Sequence, residues 1–153
     1  MTWNTGARII ANGLDHPIRI VDMENDGRFI IVPARAARMW DGTIYPWCNS
    51  NDEVSRKSFK VTNMDTNQTD YYLFQQYNAD VLCYYKHPAA NNLLFLPAYD
   101  ERLAVSDSAP GGGQLGPVSN ADIFIMKTHV WGMNASNDVG GAHYLLDRAL
   151  AGK

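Results

Sequence analysis

The chain predicts an all-β domain, an antiparallel sandwich or jelly-roll-like arrangement with a short C-terminal helix. Three observations carry that expectation: apolar or alternating runs recur between Ile18 and Val130, Asn, Asp, Pro and Gly separate them, and a single helical stripe follows. Hairpin-like units near residues 18–32, 58–75 and 81–98 leave a β-trefoil as the alternative, although they share no residue pattern. The 153 residues, 46% hydrophobic and 19% charged, suit a single domain, 1–153, with an adequate core, and are too apolar for a disordered chain.

Residues 18–23 and 28–32 flank Asn25-Asp26-Gly27. Asp-Gly between two apolar runs signals a hairpin, because Gly accepts the positive φ of a tight turn. Residues 33–40 read as a helix of one or two turns, with Pro33 at its first position ahead of Ala34-Arg35-Ala36-Ala37-Arg38. Strands are expected at 58–62, 71–75, 81–85 and 93–98, each flanked by turn residues. Further strands at 103–106 and 123–131 are separated by 107–120, whose Pro110-Gly111-Gly112-Gly113 and Gly116-Pro117 specify a long loop. Near the end, Ala142, Leu145, Leu146, Ala149 and Leu150 fall at helical spacing on one face. So short a helix persists only by docking.

The formal charge is −3 with the basic residues scattered, so nucleic acid is not expected as a partner. No apolar run approaches the ~20 residues of a membrane span, and no cleavable leader is recognisable. The expectation is a soluble protein, cytoplasmic or exported without a signal peptide. Cys48 and Cys83 lack CxxC spacing and read as buried thiols, a disulfide between them being left open. His16, His87, His129 and His143 form no HxH or HExxH pair. Residues 22–27 imitate the opening of a calcium-binding loop, but Pro33 stands where the bidentate carboxylate is needed. No metal or cofactor is therefore expected. There is no GxSxG elbow, and no Lys-Ser/Thr follows the glycine run, so no catalytic residue is singled out.

Residues 40–51, WDGTIYPWCNSN, carry the candidate ligand-binding set: Trp40, Asp41, Tyr45, Trp47 and Asn49. Sugar rings stack their C–H faces on Trp and Tyr, while their hydroxyls pair with carboxylates and amides. In a small β domain the same tryptophans can instead fill the core. A second aromatic-amide patch comprises Tyr71, Tyr72, Gln75, Gln76, Tyr77 and Asn78. The leading expectation is a non-catalytic, lectin-like domain for a glycan or another polar small ligand. The principal alternative is a self-associating structural or protein-interaction domain, with homo-oligomers compatible with either. A third is a small hydrolase or lyase built from dispersed His, Asp and Cys.

Overall fold

A computed structural model describes residues 6–25, 27–40, 43–48, 53–76, 81–86, 93–95, 120–127, 130–134 and 139–152, with the backbone alone at 76, 81–86, 93–95, 134 and 139–144. Eleven strands and one helix follow one another among them. The strands are β1 (Gly6–Asn12), β2 (Ile18–Asp22), β3 (Phe29–Val32), β4 (Ala36–Met39), β5 (Trp47–Cys48), β6 (Phe59–Asn63), β7 (Gln68–Gln76), β8 (Val81–Lys86), β9 (Leu93–Phe95), β10 (Asn120–Ile125) and β11 (Val130–Asn134); α1 is Val139–Ala151.

These strands form an all-β, sandwich-like fold of two sheets. One has four strands in the order β11-β10-β1-β4; the other has seven, β3-β2-β6-β7-β8-β9 with β5 beside β7. Both sheets are mixed rather than purely antiparallel, because β1 runs parallel to β10 and β5 parallel to β7. Alternation decides which side chains meet between them. Ile18 and Ile20 of β2, Val32 of β3, Phe59 and Val61 of β6, and Leu73 of β7 turn inward onto Ala7, Ile10, Ile123, Ile125 and Val130 of the smaller sheet. The opposite face of the smaller sheet supplies Ala11, Phe124, Met126, Trp131 and Met133, which Leu145 and Ala149 of α1 cover. Of the expected helical stripe, Leu145, Leu146 and Ala149 form the docking face, whereas Leu150 is exposed. Gly152, with φ +73°, ends the helix by donating its N–H to the Ala149 carbonyl at 3.1 Å.

Among the crossings between the sheets, those from β1 to β2 and from β3 to β4 are fastened by one amide. Asn12 is wholly buried; its Nδ2 donates to the carbonyls of His16, Val32 and Pro33 at 2.9, 3.2 and 3.1 Å. Its Oδ1 accepts the Leu14 N–H at 3.0 Å. The helix expected at 33–40 does not form. Arg35 adopts φ +51°, which an α-helix excludes, and residues 36–39 pair antiparallel with β1 instead. Pairing with a neighbouring strand overrides the high helix propensity of the Ala-Arg run, which is a weak force beside tertiary contacts. The strand expected at 123–131 is a hairpin, β10 paired with β11 from Ala121↔Asn134 to Ile125↔Val130. The strand expected at 103–106 and the glycine-rich loop at 107–120 lie outside the described residues, apart from Asn120, which opens β10.

Residues 22–25 and 27 lie at the tip of the β2–β3 hairpin. The buried Asp22 carboxylate accepts the N–H groups of Glu24 and Asn25 at 3.0 and 3.2 Å and the Asn25 side-chain amide at 2.8 Å. This is an Asx turn that organises the hairpin, with Gly27 at φ +70°. Cys48 is a buried thiol on β5. No described helix is long and apolar enough to cross a membrane.

Candidate binding surface

The segment expected to present a ligand platform instead crosses from the smaller sheet to the larger one. The N–H of Trp40 donates to the Arg8 carbonyl and that of Ala7 to the Thr43 carbonyl, both at 2.7 Å, and Ile44 bridges to Gly6. At the far side Gln75 donates its backbone N–H to the Pro46 carbonyl at 2.7 Å and its side-chain amide to the Tyr45 carbonyl at 2.8 Å. Strung between the sheets, the segment turns its rings inward. Trp40 is 7% exposed and Tyr45 not at all. Their rings lie 4.9 and 4.8 Å from that of Phe59, each tilted by 43°. Both faces expected to stack on a ligand are thus taken by the core. Trp47 is half-buried on β5 beside Gln75, while Asp41 and Asn49 lie outside the described residues.

The Tyr45 hydroxyl is buried without a hydrogen-bond partner among the described residues. Burial pushes its pKa well above the ordinary value of 10.0, and the nearby Asp122 carboxylate adds to the shift. Folded protein therefore keeps this proton at a pH where the unfolded chain has lost it. The stability tied to Tyr45 is complete below pH 10 and is lost as pH rises beyond it, by up to about 1.4 kcal/mol per pH unit. Urea unfolding of the natural chain and of Tyr45→Phe, at neutral pH and above pH 10, should show the variant losing less stability on alkalinisation. Equal losses would refute this account.

Asp122 is wholly buried on β10 and accepts the Arg8 Nε and Nη2 groups at 2.9 and 2.6 Å and the Ile9 N–H at 3.0 Å. This cluster sits where β1 slips register against β10 between Ala7 and Ile10. Its bonds tie a bulge together. Among the described residues, no three His, Cys, Asp or Glu side chains converge as a metal site requires.

Open chemistry lies on the outer face of the seven-stranded sheet. Strand register lays down two rungs there: Phe29, Val21, Lys60 and Tyr72 in one, Ile31, Arg19, Thr62 and Thr69 in the next. Phe29 is 53% and Ile31 42% exposed, on an edge strand. Beside them a groove of about 260 Å³ runs along β2 and β6, lined by Arg19, Val21, Met23, Lys60, Thr62, Met64 and Asn67.

The chain matches no family model, no curated protein and no solved structure.

Sequence reasoning passed over this face because its residues are scattered across separate strands. The available signal was the shared i, i+2 pattern of Arg19-Val21-Met23 and Lys60-Thr62-Met64, a cation on each strand and a methionine just past its end. Only the β2–β6 register brings the two patterns together.

Proposed function

We propose that this protein is a non-catalytic interaction domain that self-associates by pairing β3 with β3 of a second copy. The observation that supports this reading is an unguarded apolar edge. Exposed edge strands are ordinarily protected by charges, prolines or bulges. β4, an edge of the smaller sheet, follows that rule: exposed Arg38 donates Nη1 to the Ala37 carbonyl at 2.9 Å. β3 reads Phe29-Ile30-Ile31-Val32, with no charge or proline inside it, and has no second neighbour among the described strands.

Backbone geometry favours a two-fold arrangement. The Asp22 N–H donates to the Arg28 carbonyl at 2.7 Å, so in the antiparallel alternation Ile30 and Val32 direct their groups at β2 while Phe29 and Ile31 direct theirs outward. With the axis at Ile30, Phe29 pairs with Ile31 of the second copy, and all their outward N–H and C=O groups are satisfied. Phe29 side chains meet Ile31 side chains on the outer face, a favourable aromatic and β-branched pairing. Arg28 faces Val32 of the other copy, so like charges stay apart.

Sedimentation equilibrium over a wide concentration range should show a monomer–dimer equilibrium that Ile31→Lys shifts to monomer. Met39→Lys, on the β4 edge, should leave the dimer intact. A natural chain that stays monomeric throughout, or a dimer indifferent to Ile31→Lys, would overturn the proposal.

A further inference from the structure

We propose that the groove between β2 and β6 is a binding site for a small organic anion, a carboxylate carried on a short aliphatic body. This inference is independent of self-association, because the groove is lined from β2, β6 and the residues that follow them rather than from β3. Its two charged residues are both cations. Arg19 stands opposite Thr62 and Lys60 opposite Val21, which makes the cations diagonal neighbours on one face. Like charges so placed repel, and an anion between them removes the repulsion. Neither cation has a carboxylate partner among the described residues.

The arginine is also held ready. Its guanidinium carbon lies 4.6 Å over the centre of the Phe29 ring. Stacking of this kind restrains the planar group while leaving its N–H edge free, and that edge matches the two oxygens of a carboxylate. The Thr62 hydroxyl and Asn67 amide add neutral hydrogen-bonding groups along the same groove. Val21, Met23 and Met64 supply the apolar part, and thioether side chains adapt to irregular aliphatic shapes. At about 260 Å³ the space lies below the usual ligand-pocket range of roughly 300–1,000 Å³, which restricts the occupant to a short chain.

Octanoate is the probe, with octanol as the same chain without charge and acetate as the head alone, each titrated calorimetrically. Octanoate should bind about tenfold or more tightly than either, because head and chain must act together. Arg19→Gln and Lys60→Gln should each weaken octanoate by about tenfold and leave octanol unchanged, whereas Arg28→Gln, outside the groove, should leave all three unchanged. Repeating the octanoate titration at protein concentrations below and above the dimer transition separates this site from the dimer: equal affinity in monomer and dimer supports the groove alone, and binding confined to the dimer would overturn its independence. Equal binding of octanoate and octanol, indifference to both charge removals, or no octanoate binding would overturn the inference.

Discussion

Phe59→Ala is expected to destabilise the fold by about 3–5 kcal/mol, a large share of the ~5–15 kcal/mol that keeps a domain folded. Phe59 is fully buried and lies against both Trp40 and Tyr45. Its removal leaves a void that neither neighbour can fill, since Trp40 and Tyr45 belong to a segment pinned by backbone bonds to β1 and β7. Each tilted ring pair contributes about 0.5–1.5 kcal/mol beyond the buried area. Urea unfolding should show a lower midpoint at an unchanged slope. Phe59→Leu, which keeps most of the volume, should lose less than half as much. A loss below about 1 kcal/mol for the alanine variant would mean that the rings do not depend on one another.

Asp122→Ala is the second large effect, at about 3 kcal/mol, the lower end of the range for breaking a buried pair. Arg8 keeps 36% of its side chain in contact with water, so solvent recovers part of the guanidinium's lost bonding. The Ile9 N–H loses its acceptor as well. Replacing both members of the pair with apolar residues, Arg8→Met with Asp122→Leu, should recover much of the loss, because no charge is then buried alone. A double-mutant cycle measures this directly. Additive losses would show that Arg8 and Asp122 act independently.

What could be read from the residues was local. The β2–β3 hairpin was legible because Asp26-Gly27 turn chemistry and the flanking apolar runs agree. The stripe through Leu145 and Ala149 disclosed the helix and the face by which it docks. What failed was decided at a distance. β1 escaped notice although Asn12-Gly13 closes it, because its neighbour β10 lies more than a hundred residues away. β4 was mistaken for helix because its pairing with β1 is tertiary. Trp40 and Tyr45 illustrate the same limit at the site, since an aromatic ring suits a ligand and a core equally until its neighbours are known. The groove emerged only from cross-strand register, which places Arg19 and Lys60 on one face.

The position of β1 between β4 and β10 also sets the order in which the molecule can be completed during synthesis. A ribosome releases β1 and β4 early, yet β10 emerges only after residue 120 has been made. Until then the nascent chain carries a two-stranded fragment whose apolar side chains have no cover on the β10 side, and Arg8 has no Asp122 to meet. The β3-β2-β6-β7 part of the larger sheet can assemble in the interval, since all four of its strands are made before β10. Pairing of β1 with β10 therefore waits until residues 120–125 have been made, and it joins strands more than a hundred residues apart, the long-range kind of contact that forms slowly.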